Sequence, residues 1–290
     1  MTRRGEIFEG IVHGIFLILG LLTVGCVLLI TIYLVAAGIP AIAEIGIVEF
    51  LFGTEWAPTS SEPSYGILAF ILTSVWGMAG ALIIGVPVGF FTAIFVSKFA
   101  PAKVKGAIES VVNLLAGIPS VIYGLIGMTV LIPAIRTIFG VANGATLLAA
   151  IIVLSVMILP NVISQSVTAL DAVPTEYEEA SLALGATPTE TYFKVSAPAA
   201  KSGIAAAVAL GMGRAAGEAM AVMMVAGNVA NMPSLFSSVR FLTTAIASEM
   251  SYASGLRREA LFSIGLVLFL FIMLINAALN FFLKGKSKKR

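Results

Sequence analysis

Six long apolar runs constrain the fold of this chain more than any other feature of its sequence. They cover residues 15–37, 68–96, 111–135, 145–167, 203–226 and 260–283. Each exceeds the roughly 20 residues that an α-helix needs to cross a hydrocarbon core about 30 Å thick. Because 59% of the 290 residues are hydrophobic and only 11% are charged, so much apolar surface does not fit inside one soluble core. The sequence therefore predicts an all-α integral membrane protein, a single domain over residues 1–290 with about six transmembrane helices.

Lysine and arginine are distributed unevenly between the two sides of the predicted bundle. The larger group comprises Arg3, Arg4, Lys98, Lys103, Lys105, Lys194, Lys201, Lys284, Lys286, Lys288, Lys289 and Arg290. The smaller group comprises Arg136, Arg240, Arg257 and Arg258. Since positive charge is enriched in cytoplasmic loops, we expect both termini and the loop 168–202 to face the cytoplasm from a multi-pass position in the plasma (inner) membrane.

The loop 168–202 carries the signals of two short helices. Thr175 with Glu178, and Thr187 with Glu190, each match a capping box, and Pro188 occupies the first helical position after Thr187. We therefore expect two helices that meet at an angle. The loop is either a docking element for a partner protein or an ordinary solvated connection.

A glycine and several apolar residues shape the expected surface of this loop. Gly185 suits the end of the first short helix because glycine tolerates the left-handed conformation that often closes one. Leu182, Leu184 and Phe193 stand near carboxylates. The pair of helices would present a compact convex surface that fits the groove of a partner.

The third apolar run is interrupted by Gly117-Ile118-Pro119-Ser120. Pro119 removes a backbone hydrogen bond and clashes with the preceding turn, so we expect the helix to kink or break there. Broken backbone inside a membrane is tolerated where protein or a water-filled cavity satisfies it. Pro119 and Ser120 therefore either line a transport pathway or form a kink that serves only helix packing.

The fifth apolar run contains a pair of opposite charges. Arg214 and Glu218 are four residues apart, which places them on one face of a continuous helix and within pairing distance. A charge at mid-membrane costs about 2.5 to 3.5 kcal/mol. The residues form either a structural ion pair or an anion site, in which the Arg214 fork binds the anion and Glu218 holds or competes for it. We favour the anion site because intramembrane ionisable residues are usually functional.

Two further loops are predicted to face outward. Residues 38–66 carry four glutamates without lysine or arginine, together with Trp56 and Tyr65, aromatic residues typical of the membrane interface. In residues 227–259 an amphipathic helix is indicated by the spacing of Val239, Leu242, Ile246 and Met250. The first loop would form either an interfacial lip around the pore or a landing surface for a solute-binding protein. For both loops the alternative is simple packing over the helix ends.

Several strings of the sequence resemble those of a known transporter family. Glu179-Ala180-Ser181 with Gly185, followed by Val195-Ser196-Ala197-Pro198, resembles the EAA loop of binding-protein-dependent ABC importer permeases. Three longer strings resemble the C-type permease subunits of the Pst phosphate importers. These strings are Phe52 to Pro58, Leu115 to Gly124, and Gly213 to Val222 with Gly227-Asn228.

The resemblance implies a type I ABC importer permease fold with cytoplasmic coupling helices. It implies a membrane-spanning subunit that forms a phosphate pathway with a second permease, and it implies two copies of a cytoplasmic ATPase and an external phosphate-binding protein as partners. ATPase coupling would fall to Glu179, Ala180, Gly185, Thr187 and Pro188, and the pathway to Arg214, Glu218, Pro119 and Ser120. The alternatives are a permease for molybdate, tungstate or sulfate, or a secondary anion transporter or channel.

The sequence favours a transporter subunit over an enzyme. It contains neither a Gly-x-x-x-x-Gly-Lys-Ser/Thr phosphate loop nor a catalytic Ser/His/Asp group. Cys26 and His13 are each the single residue of their type, so we expect no thiolate or histidine metal site, and no cofactor or nucleic-acid partner. ATP hydrolysis is therefore expected on a separate chain.

Overall fold

A computed structural model of the protein describes residues 3–287, with side chains for most of them. Lys288, Lys289 and Arg290, which the charge pattern above includes, lie outside the described residues. The first half of the chain contains α1 (Arg3–Ile45), α2 (Ile47–Phe52), β1 (Trp56–Ala57), β2 (Ser64–Tyr65), α3 (Leu68–Ile94), α4 (Ala102–Gly117), α5 (Ser120–Ile126) and α6 (Ile132–Phe139). The second half contains α7 (Leu147–Asp171), α8 (Thr175–Ala183), α9 (Pro188–Thr191), α10 (Ala197–Ala199), α11 (Lys201–Gly217), α12 (Met220–Val225), α13 (Leu242–Glu249) and α14 (Gly255–Ser287).

In the described part of the chain, three wider π-helical turns extend or link some of these helices. The turn π1 (Phe95–Phe99) continues α3, π2 (Gly127–Leu131) links α5 to α6, and π3 (Tyr192–Ser196) links α9 to α10. A single π turn inserted in a helix is rare and often marks a functional position.

Five helical stretches in the described part of the chain are long and apolar enough to cross a membrane, and a bent pair makes a sixth. The five cover Ile11–Ile45, Leu68–Phe99, Ser120–Phe139, Leu147–Asp171 and Gly255–Ala278. The bent pair joins Pro188–Ala199 to Lys201–Gly217 at 70°. The predicted count of about six is confirmed, but the third span lies further along the chain than the predicted 111–135. The reason is the break at Pro119, which separates α4 from the spanning stretch.

Helix α7 forms the centre of the bundle and packs against α3 and α11. Glycines on α3 allow the backbones to approach closely, since a Cβ on Gly85 would lie 2.7 Å from Ile158 Cδ1 and one on Gly89 would lie 2.7 Å from Val162 Cγ1. Helix α1 differs most from α7 in burial, because no residue of its most apolar 18-residue stretch is buried within this chain. Such a surface is compatible with exposure to lipid or to another membrane subunit.

The two loops that were predicted to face outward, residues 38–66 and 227–259, contact each other. The buried Glu249 carboxylate accepts hydrogen bonds from Trp56 Nε1 (3.2 Å) and Arg240 Nη1 (2.5 Å), and Arg257 Nη2 lies 2.8 Å from its other oxygen. These contacts fasten the β1–β2 hairpin and the start of α14 to α13. Trp56 and Glu249 are 193 residues apart, so no local pattern of the sequence indicated their contact.

The helix predicted from the 239–250 spacing is shorter than expected. Val239 forms an isolated bridge with Gly227 and lies outside α13, whereas Leu242 is buried and Ile246 packs against the same core. The apolar stripe therefore faces the protein, and the prediction that Val239 belongs to the helix is wrong.

Candidate functional site

The first broken helix lies at residues 117–120, as the sequence predicted. Helix α4 ends at Gly117, Ile118 and Pro119 are extended, and α5 begins at Ser120. The Tyr123 hydroxyl donates to the carbonyl oxygen of Leu115 (2.8 Å), so a side chain satisfies a carbonyl group near the end of α4. Pro119 is exposed and Ser120 is half-buried. The hydrogen bond from Tyr123 therefore stabilises the break, while Pro119 remains exposed on its surface.

The second break corrects the expected Arg214–Glu218 pair. Helix α11 ends at Gly217, and Glu218 has an extended backbone. The Glu218 carboxylate accepts from the backbone N–H of Ala221 (3.1 Å), and the Glu218 carbonyl oxygen accepts from Thr243 Oγ1 (2.8 Å). Glu218 therefore caps the start of α12 instead of standing one turn from Arg214, and none of the ion pairs among residues 3–287 joins the two.

Arg214 is the unusual group of this region. Its Nε is buried and has no hydrogen-bond partner. The next residue, Ala215, belongs to the same buried core as Tyr123, which stands beside the first break. The adjacent Gly213 and Gly217 face open space, since a Cβ on either would meet nothing within 4 Å. The N–H of Arg214 Nε is thus free to donate a hydrogen bond near the two helix breaks, at residues 117–120 and after Gly217.

The two breaks pack against one hydrophobic core. Tyr123, Ala215 and Ala221 are buried members of this core, and Leu115 and Ile118 pack against it. Gly124 brings α5 onto α12, because a Cβ there would lie 3.0 Å from Ala221 Cα and 2.7 Å from Met224 Sδ. The position of one break is therefore tied mechanically to the position of the other.

We expect Gly124→Val to destabilise the purified chain, because the Ala221 backbone cannot move away as a flexible side chain could. Overpacking of this kind costs about 1 to 3 kcal/mol, which corresponds to a melting temperature roughly 2 to 10 °C lower. Thermal unfolding in detergent measures the change. The control is Gly106→Val in α4, where a Cβ meets nothing within 4 Å, and equal losses in both variants would contradict the close packing.

The segment Thr175–Ala199 forms a compact knob beyond the end of α7. The predicted capping box at Thr187 is confirmed: Thr187 Oγ1 accepts from the Glu190 N–H, the Glu190 carboxylate accepts from the Thr187 N–H, and Pro188 follows. Gly185, at φ +88°, closes α8 with paired hydrogen bonds from Gly185 N to Leu182 O and from Ala186 N to Ser181 O. The hydroxyls of Ser181 and Thr191 lie 2.9 Å apart and join the two short helices.

The predicted capping box at Thr175 is wrong. Pro174 precedes α8, and no side chain caps its first turn. Glu178 turns instead towards the bundle, where Lys98 Nζ lies 2.6 Å from its carboxylate and Ser196 Oγ donates to it at 2.8 Å. This pairing was missed because Lys98 and Glu178 are distant in sequence and only the fold brings them together.

The outer side of the knob is apolar and exposed. Leu184 is 90% exposed, and Leu182, Phe193 and Tyr177 are also exposed. Glu179 and Ala180 are exposed on α8, as are Thr187 and Pro188 on the second helix. Clustered exposed apolar side chains with polar neighbours are typical of a protein-binding surface.

Comparison with known proteins identifies the family of this chain. Residues 85–288 match the family described as the inner membrane component of binding-protein-dependent transport systems. The chain belongs to this family and is a multi-span permease subunit of the inner membrane. It is therefore a transporter subunit.

Individual relatives show which members of the family this chain is similar to. The chain is 44% identical to the probable ABC transporter permease protein YqgH of Bacillus subtilis over 256 residues, which cover 85% of this chain and 83% of that protein. It is 34% identical to the phosphate transport system permease protein PstC of Pasteurella multocida, with 83% and 81% covered. The resemblance to phosphate-importer permeases found in the sequence is confirmed.

Solved structures show the fold. A chain of a bacterial alginate ABC transporter superposes with a TM-score of 0.63 over 97% of both chains at 16% identity. A chain of the MetNI methionine ABC transporter gives 0.58 over 76% of this chain and 96% of its own, at 21% identity. The fold is that of type I ABC importer permeases.

Proposed function

We propose that this chain is a membrane-spanning subunit of an ATP-driven phosphate importer. Arg214 is the observation that carries the proposal: a planar, permanently charged donor with its buried Nε unpaired suits an oxyanion, which accepts two parallel N–H bonds. The names of relatives such as PstC of Pasteurella multocida support phosphate as the anion. Pro119 and Ser120 would line the same pathway, and Glu218 would hold the second break in shape.

A second permease would complete the pathway. A single arginine does not neutralise a divalent phosphate, so we expect the partner to supply another positive group at the same depth. The open space beside Gly213 and Gly217 leaves room for such an approach. A partner without a charged residue at that depth would count strongly against the proposal.

The knob Thr175–Ala199 would seat on two copies of an ATPase, one under each permease. ATP would be bound and hydrolysed on those chains, and Glu179, Ala180, Gly185, Thr187 and Pro188 would form or shape the seat. This assignment puts the knob and both termini in the cytoplasm. The Trp56–Glu249 end would then face an external phosphate-binding protein.

Phosphate uptake with single omissions tests the proposal. Cells without their own importers receive this chain, a PstA-type permease, a PstB-type ATPase and a PstS-type binding protein, and each component is left out in turn. We expect radiolabelled phosphate uptake to require every component and to resist excess sulfate or molybdate. Competition by those anions would favour a sister oxyanion importer.

A secondary transporter or channel is the alternative from a different class. It predicts uptake by this chain without the ATPase, and uptake that survives changes at Glu179 or Gly185. Uptake that persists when the ATPase is omitted would overturn the coupling assignment.

A further inference from the structure

The side-chain hydrogen bonds and ion pairs described between helix α8 and the rest of the protein involve two of its residues, Glu178 and Ser181. The helix has no buried residue, and the two side chains that are not exposed are those of Glu178 and Ser181. Ser181 contacts Thr191 within the knob, whereas Glu178 reaches the bundle. A short helix without a buried side chain has little stability of its own, so the contacts of Glu178 with Lys98 and Ser196 help to fix where α8 lies.

The Glu178 carboxylate is largely removed from solvent. Its side chain is 16% exposed, and that of its partner Lys98 is 12% exposed. Ser196, whose hydroxyl donates the second bond, is fully buried. Removing one member of such a pair leaves the other as an uncompensated buried charge, so the pair resists separation.

Lys98 belongs to π1, and the turn reaches three other elements through neighbouring residues. Ser97 Oγ contacts the carboxylate of Asp171 at the end of α7, Lys98 contacts Glu178 in α8, and the Phe99 ring packs edge-on against Tyr192 in π3 at 5.1 Å. Both π turns at this end of the bundle therefore meet at Glu178, one through Lys98 and the other through Ser196. The second span (Leu68–Phe99, span two), the fourth span (Leu147–Asp171) and the knob therefore join at this point.

We propose that Lys98 and Glu178, with Ser196, form the rigid link through which movement of the knob reaches span two. They are positioning residues: they hold α8 against π1 and contact neither the transported anion nor the partner surface. The inference rests on the proposed function, in which the knob is the seat of the ATPase. The proposal is therefore that the Lys98–Glu178 pair, which lies beside the docking surface, transmits the movement of the knob.

The test compares Lys98→Met, Glu178→Gln and the exchange variant Lys98→Glu with Glu178→Lys. Lys105→Met is the matched control, since Lys105 also pairs with a carboxylate at this end of the bundle (Asp171, 3.0 Å) but lies outside the knob, and its pair is more exposed (32% and 41%), and exposed pairs contribute little. In the purified full chain, we expect hydrogen exchange at the α8 amides to quicken at least about tenfold in Lys98→Met. The control is expected to match the original protein.

In the assembled transporter, we expect Lys98→Met and Glu178→Gln to keep the ATPase bound but to lower phosphate transported per ATP about tenfold, a usual size of coupling between sites. The exchange variant restores an ion pair with the charges reversed, so it should recover much of the ratio. Retained ATPase binding in the single variants would show that their loss is not a loss of folding. An unchanged ratio in Lys98→Met, or an equal loss in Lys105→Met, would overturn the link. If the original chain binds no ATPase, the proposed function fails, and hydrogen exchange still decides whether the pair holds α8.

Discussion

Arg214→Met is expected to abolish phosphate uptake while the chain still assembles with its ATPase. The guanidinium takes no part in the ion pairs that the structure describes, and its buried Nε has no partner. Its removal should therefore leave no other charge unpaired, and the unbranched methionine side chain fills similar space. Two charge-assisted bonds to the anion would be lost, so we expect uptake to fall at least about 100-fold.

The controls separate charge, geometry and folding. Arg214→Lys keeps the charge without the planar fork and should recover only part of the uptake. Arg258→Met removes an exposed arginine near the start of α14 and should leave uptake unchanged. Membrane abundance and ATPase co-purification are measured in each variant. A loss of folded Arg214→Met protein, in place of a loss of uptake, would show that Arg214 serves packing.

The sequence predicted those features that depend on neighbouring residues. The spans follow from apolar length, the break at Pro119 from the missing N–H of proline, and the start of α9 from the Thr187 cap. Each requires only a few consecutive residues. The two short helices expected in the loop 168–202 likewise depend on local spacing, and the structure has them as α8 and α9.

The errors arose where a local rule competed with an unforeseen partner. A four-residue spacing predicted an Arg214–Glu218 pair, but Glu218 caps α12 through Ala221 and is fixed further by Thr243. A capping-box spacing predicted that Glu178 would cap α8, but a buried Lys98 offers it a stronger contact. Sequence spacing predicts only the partners that a carboxylate can reach within its own helix. In the folded protein, groups on other helices can bind the same carboxylate instead.

Leu184→Gln is expected to weaken ATPase binding with little effect on the stability of the chain. Leu184 is 90% exposed and follows α8 at the tip of the knob, where the paired bonds around Gly185 fix the backbone. Burial of a leucine at an interface contributes about 1.5 to 3 kcal/mol. Loss of about 2 kcal/mol weakens binding roughly 30-fold, whereas a polar residue at so exposed a position should change folding by less than about 0.5 kcal/mol.

Titration of the purified ATPase against the detergent-solubilised permease pair measures this effect. Tyr252→Gln is the matched control, because Tyr252 is 84% exposed but lies between α13 and α14, at the end of the bundle that holds Glu249. We expect the control to bind as the original protein does. Equal affinity in the Leu184 variant would move the ATPase seat away from Leu184 and towards other exposed residues of the knob, such as Glu179 or Thr187.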